Sequence, residues 1–113
     1  MEKHSLSTFQ QFNEEKFTKR VIFTKGGSTV FVLNFMPGQA LPTHKHPGSD
    51  VFLQMLQGSG TLTINGEDVP VGQGEIIHSD GDDEFAFKNT GSEPASLFVV
   101  LNKTPNEKYA QNV

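Results

Sequence analysis

The chain has 113 residues, no cysteine and a formal net charge of −4 at pH 7. This length suits a single domain with one core, and the absence of cysteine excludes a disulfide-stapled secreted scaffold, so we expect a cytoplasmic protein. The basic residues are scattered rather than grouped with aromatics, and no segment approaches the ~20 apolar residues of a membrane span, so we expect neither a nucleic-acid partner nor a membrane contact.

Residues 1–18 are predicted to form an N-terminal arm outside the main domain. The apolar positions of this arm fit a helical period over too short a stretch for more than one helical turn. The arm carries Phe9, Phe12 and Phe17, and a segment of this length cannot bury three phenylalanines by itself. We therefore expect the chain to form a homodimer.

From residue 19 onward the pattern is that of short β-strands separated by turn residues, and residues 19–103 are predicted to form one barrel. The dipeptide Asn65-Gly66 is the clearest turn signal, because both residues of a tight hairpin turn must accept a positive φ. Residues 104–113 are polar and are predicted to form a flexible tail. About eight strands at this spacing are typical of an all-β sandwich or barrel. The predicted strands cover residues 20–24, 28–35, 51–56, 61–64, 69–71, 75–79, 84–88 and 95–102.

Two glycine-anchored motifs flank the predicted hairpin. The first runs from Gly38 through His44-Lys45-His46 to Gly58, and the second begins at Gly72-Gln73-Gly74-Glu75. In order and spacing, residues 20–102 resemble a small single-domain cupin of type 2, with an RmlC-like barrel. The resemblance implies an all-β jelly-roll fold, also called a double-stranded β-helix.

The histidine pair His44 and His46 is the first candidate site. Residues i and i+2 of a strand share a face, so both imidazoles can point into the barrel. Two neutral imidazoles suit one divalent transition metal such as Fe, Mn, Ni or Zn. In metal-binding cupins, the resemblance implies, the pair is joined by an acid of the first motif and a histidine of the second. Here Phe85 occupies the position of that second-motif histidine.

The position of the acid has two readings. Counting forward from His46 gives Asp50, whereas counting back from Gly58 gives Val51. Strand alternation favours Val51 pointing inward together with Leu53 and Met55, which turns Asp50 toward solvent. A β-bulge near Gly48-Ser49 would instead turn the Asp50 carboxylate inward, so both readings stay open.

His78 is the other candidate ligand. It follows Ile77 directly in the strand, so the two side chains point to opposite faces; because Ile77 is expected in the core, His78 is expected on the outer face. Around the histidines, Phe85, Phe87 and Asn89 alternate along one strand face. We expect these three residues to line a pocket together with Val51 and Leu53.

Three functions fit these features. The first is a cupin that binds a small molecule at the barrel mouth and has a degenerate, weak metal site. The second is a metal-dependent enzyme, a dioxygenase or isomerase, in which Asp50 or His78 and water complete the site. The third is a non-catalytic dimeric interaction module. Apolar residues at two of the four family ligand positions favour the first, while neither the substrate nor any reaction can be read from the sequence.

Overall fold

The computed structural model describes residues 1–103, and the predicted tail 104–113 lies outside the described residues. The described part is all-β apart from one turn of 3-10 helix at Leu6–Phe9. None of its helical segments is long and apolar enough to cross a membrane. The strands are β1 (Thr18–Lys25), β2 (Ser28–Phe35), β3 (Ala40–His44), β4 (Ser49–Gln57), β5 (Gly60–Ile64), β6 (Glu67–Val71), β7 (Ile76–Asp80), β8 (Phe85–Lys88) and β9 (Ala95–Lys103).

These strands form two antiparallel sheets that face each other as a jelly roll. One sheet has the order β1-β2-β9-β4-β7 and the other has the order β3-β8-β5-β6. The hydrophobic core lies between the sheets and draws on both, with Phe35 and Val99 from the first and Leu62 and Phe87 from the second. The predicted fold class is confirmed.

The central strand β4 decides which side chains face the core. Val51, Leu53 and Met55 are all buried, whereas Phe52 between them is 38% exposed. This alternation is the inward register that the sequence favours, because a one-residue slip would place the whole apolar set in solvent. The pairing of β4 with β9 is continuous from Ser49 to Met55. The alternative reading with a bulge near Gly48-Ser49 is therefore wrong.

The hairpin between β5 and β6 forms where Asn65-Gly66 predicts it. Ile64 pairs with Glu67, and the two turn residues have φ values of 51° and 81°. Positive φ at both positions gives the turn a twist that matches the flanking strands.

Two local predictions need correction. The set of about eight strands omits β3, Ala40–His44, where Pro42 and polar residues hide the strand pattern. Because β3 ends at His44, His46 lies just beyond the strand, and strand alternation is not what places its ring.

The N-terminal arm is held on the barrel by buried Asn34. The Asn34 side-chain amide donates to the Phe9 carbonyl at 2.8 Å and to the Thr18 hydroxyl at 3.1 Å. Phe17 stacks on Phe35 with ring centroids 5.3 Å apart and packs against the core. Phe17 therefore packs against the barrel of its own chain, and the homodimer predicted from the arm stays a prediction.

Candidate functional site

Two strands of the smaller sheet bring the histidine pair to the mouth of the barrel. His44 is the last residue of β3 and pairs with Phe85 on β8. The rings of His44 and His46 lie 4.8 Å apart between centroids and are nearly perpendicular, at 86°. The two imidazoles thus come together although they do not share one strand.

Backbone hydrogen bonds fix both histidines. The His44 Nδ1 lies 2.8 Å from the Pro42 carbonyl oxygen. Because a carbonyl only accepts, Nδ1 carries the proton in neutral His44, and the lone pair is on Nε2. The His46 backbone N–H donates to the Gly81 carbonyl at 2.9 Å, and the Ser49 N–H donates to the His46 carbonyl at 3.1 Å.

Phe85 lies directly against the pair. Its ring centroid is 4.5 Å from that of His44 and 5.7 Å from that of His46. A buried phenyl ring, at the position where the resemblance implies a histidine, therefore gives the site an apolar wall with no donor atom.

A cavity of about 230 Å³ opens beside the histidines. Seven of its ten lining residues are apolar, the remaining three carry nitrogen donors, and none is acidic. Such a wall, mostly apolar with a few polar groups, is typical of small-molecule pockets. The lining residues are Phe17, Lys19, Phe31, Leu33, Leu41, His44, His46, Leu53, Phe85 and Val99.

Sequence reasoning placed Phe85 and Leu53 in the pocket but missed the contribution of β1. Phe17 and Lys19 both line the cavity. No local motif marks these two residues, because their place beside the cavity depends on the pairing of β1 with β2.

Asp50 and His78 lie together on the outer face of the larger sheet. The His78 Nε2 and an Asp50 carboxylate oxygen are 2.9 Å apart, and the Phe52 ring lies 5.1 Å from the His78 ring. The inward burial of Val51 and Leu53 turns Asp50 outward. Neither Asp50 nor His78 lines the cavity beside His44 and His46, so the structure does not bring these candidates together as one ligand set.

Three other predicted pocket residues lie in the core instead of on the cavity wall. Val51 and Phe87 are buried by packing. The Asn89 side-chain amide donates to the carbonyls of Phe35 at 3.0 Å and Glu93 at 2.9 Å, so it ties two segments together. Alternation placed Phe85, Phe87 and Asn89 on one face correctly, but it cannot tell the mouth of a barrel from its interior.

The donor atoms at the mouth are too few for a firmly held metal. Among residues 1–103, no group of three or more His, Cys, Asp or Glu side chains could hold a metal ion. Catalytic zinc sites use three protein ligands, and structural ones use four. The pair of imidazoles therefore does not fit a tightly bound resident metal.

The pocket environment disfavours a charge on His46. Burial lowers the pKa of His46 below its ordinary value, and the nearby positive charges of His44 and Lys19 lower it further. In the unfolded chain the same imidazole binds its proton at its ordinary pKa of about 6.5. Between the two pKa values the unfolded state binds more protons, so this group makes folding less favourable as the pH falls.

We expect the imidazole resonances of metal-free His46 to titrate with a midpoint below 6.5 in NMR spectra recorded from pH 8 to pH 5. In Lys19→Gln the midpoint should rise, since one of the lowering charges is gone. Wild type should also lose more thermal stability than His46→Gln over this range. An unshifted midpoint in both proteins would show that the cavity does not desolvate His46.

Comparison with known proteins connects this site to a family. The sequence profile of a family described as "Cupin domain" matches residues 31–101. The chain is 31% identical over 65 residues to the Oxalate-binding protein of Thermotoga maritima, covering 58% of this chain and 54% of that protein. It is also 31% identical over 85 residues to Auxin-binding protein 1 of Arabidopsis thaliana, covering 67% of this chain and 42% of that protein. The chain thus spans about half the length of these curated relatives.

Solved structures share the whole architecture. The crystal structure of TT1209 from Thermus thermophilus matches with a TM-score of 0.86 at 27% identity, covering 93% of this chain and 100% of that one. A protein with a double-stranded β-helix domain from Klebsiella pneumoniae matches with a TM-score of 0.85 at 20% identity, covering 91% and 90%. At this lower identity the likeness shows the fold alone.

Proposed function

The chain belongs to the cupin-domain family, and from that premise we propose that it binds a small organic molecule in the cavity beside His44 and His46. The observation that carries the proposal is the cavity itself, a mostly apolar space of about 230 Å³ whose polar lining consists of Lys19, His44 and His46. Two curated relatives are named as binding proteins, one for oxalate and one for auxin. Their names support a binding role for this chain.

The histidines act in this proposal as polar contacts for the ligand. In neutral His44 the nitrogen left to accept a hydrogen bond from the ligand is Nε2, because Nδ1 is engaged by the Pro42 carbonyl. The apolar wall, which includes Phe85 and Leu53, excludes water and strengthens each polar contact within the cavity.

The proposal is tested by mapping amide chemical-shift changes while a set of small aromatic compounds is titrated into the metal-stripped protein. The shifts should cluster around the cavity. Leu41 is half-buried in the cavity wall, so Leu41→Trp should fill the space and abolish them. Leu6→Trp adds the same ring on the exposed arm and should leave them unchanged. Shifts outside the cavity, or shifts that survive Leu41→Trp, would contradict the proposal.

Metal analysis separates this function from the alternative of a metal-dependent dioxygenase or isomerase. Two imidazoles without a third protein ligand should lose a transition metal on dialysis, because water must fill the remaining positions. We therefore expect well under one metal per chain in dialysed protein purified without a histidine tag. One retained Fe, Mn, Ni or Zn per chain, lost in His44→Ala with His46→Ala, would favour the enzyme.

The predicted homodimer does not depend on the pocket. With Phe17 packed inside the chain, the most exposed large apolar side chain among residues in strands is Ile76 on β7, at 71%. Light scattering during size-exclusion chromatography should give the mass of two chains, and the mass of one chain would contradict the prediction.

A further inference from the structure

The cavity combines an apolar wall with basic groups alone, in a chain that is acidic overall. The chain has 13 acidic and 9 basic residues, yet the cavity is lined by Lys19, His44 and His46 with no carboxylate. The local sign of charge is thus opposite to that of the molecule. A concave site lined by one sign of charge concentrates ligands of the other sign.

Lys19 is the group that carries a full positive charge at neutral pH. It pairs with Leu33 across β1 and β2, and its Nζ lies 4.5 Å from the centroid of the Phe31 ring, another cavity wall residue. The ring face attracts the ammonium group and holds it beside the cavity. Within residues 1–103 no carboxylate forms an ion pair with Lys19.

The apolar part of the cavity wall limits the size and polarity of the ligand. Seven apolar residues surround a space of about 230 Å³, which suits one aromatic ring or a short branched chain but leaves little room for a polar body. Of the two other basic side chains on this strand, Arg20 donates its Nε to the Gln11 side chain and Lys25 forms an ion pair with Glu2, both outside the cavity. One ammonium matches a single negative charge better than a phosphate dianion, which typically recruits several donors.

Resting on the ligand pocket proposed above, we propose that the ligand is a carboxylate with a compact apolar body and that Lys19 binds its carboxylate group. Lys19 and Phe17 both precede residues 31–101, the part matched by the family profile. The proposed carboxylate contact therefore lies outside the part of the chain on which the family match rests.

Calorimetric titration of the metal-stripped protein in low-salt buffer tests the inference with three probes that share one aromatic body. Phenylacetate is the anion, phenylacetamide is its neutral counterpart, and 2-phenylethylamine is the cation. Stripping the metal ensures that a carboxylate cannot bind through a stray ion. Phenylacetate should bind about tenfold more tightly than phenylacetamide, the difference expected from one charge-assisted hydrogen bond, and 2-phenylethylamine should bind most weakly.

Variants of Lys19 locate the charge. Lys19→Gln should weaken the binding of phenylacetate about tenfold and leave the binding of phenylacetamide unchanged. Lys19→Arg should restore part of the lost affinity for phenylacetate. Lys25→Gln is the matched control, because Lys25 lies on the same strand with its side chain 77% exposed and outside the cavity.

The outcomes distinguish this inference from the function on which it rests. Equal binding of phenylacetate and phenylacetamide would overturn the carboxylate specificity while leaving the pocket in place. Tight phenylacetate binding that survives Lys19→Gln would overturn the role of Lys19. If no probe binds at millimolar concentration, the inference fails, and shift mapping with Leu41→Trp then decides separately whether the pocket binds other molecules.

Discussion

Replacing Phe87 by alanine is expected to lower the free energy of unfolding by about 4 kcal/mol, the usual cost of deleting a fully buried phenyl ring. Phe87 is 1% exposed, and its ring lies 4.8 Å from that of Phe35 in the centre of the barrel. The deletion would leave a cavity between the two sheets that the surrounding strands cannot close. Urea denaturation followed by circular dichroism measures the loss.

Phe52→Ala is the matched control for Phe87→Ala. It removes the same ring from β4, where the side chain is 38% exposed on the outer face of the sheet. Its cost should be about 1 kcal/mol, because the Phe52 ring is already partly exposed and its removal opens no cavity inside the core. Equal losses for the two variants would mean that the assignment of Phe87 to the core is wrong.

Replacing Gly81 by alanine is expected to cost about 3 kcal/mol and to disturb the histidine site at the same time. A Cβ at Gly81 would collide with the backbone carbonyl oxygens of His46 and Ser49. Neither atom is the end of a flexible side chain, so the segment that carries His46 must move. Thermal denaturation measures the loss of stability, and the NMR resonances of His46 report the displacement.

Gly72→Ala is the control for this effect. At Gly72 the nearest atom to an added Cβ is a Glu75 carboxylate oxygen at 3.4 Å, an ordinary van der Waals distance that requires no displacement. This variant should be nearly as stable as wild type. If Gly81→Ala is equally stable, the close approach between Gly81 and the His46 carbonyl is not a feature of the protein in solution.

Local patterns in the sequence predicted those parts of the fold that local chemistry determines. Asn65-Gly66 forms a tight hairpin because its two residues tolerate positive φ. The apolar set Val51, Leu53 and Met55 fixes which face of β4 is buried, because the opposite register would bury Asp50 in their place. Both features depend on neighbouring residues alone.

Positions along the barrel axis were harder to predict. Phe85 and Phe87 share a face of β8 and both belong to the core, yet Phe85 also lines the cavity and Phe87 does not. Asn89 lies on the same face, and its side-chain amide donates hydrogen bonds to the backbone carbonyls of Phe35 and Glu93, so it does not line the cavity. Strand alternation reports a face but carries no information on depth, which depends on how the two sheets stack.

The contribution of β1 to the site could not be predicted for a related reason. Phe17 and Lys19 reach the cavity because β1 pairs with β2 at the edge of the larger sheet. That pairing joins residues whose proximity no local motif records. The histidine pair was predicted from its spacing after Gly38, but its neighbours Lys19 and Phe31 depend on the assembled fold.

The central claim is that the space beside His44 and His46 is a pocket for a small organic molecule rather than a resident metal centre. A crystal structure of the metal-stripped protein grown with phenylacetate tests it most directly. We expect density for the ligand in the cavity, with its ring against Phe85 and its carboxylate at the Lys19 ammonium group. Ligand density elsewhere, or a metal ion held by the histidines and a third side chain, would contradict the claim.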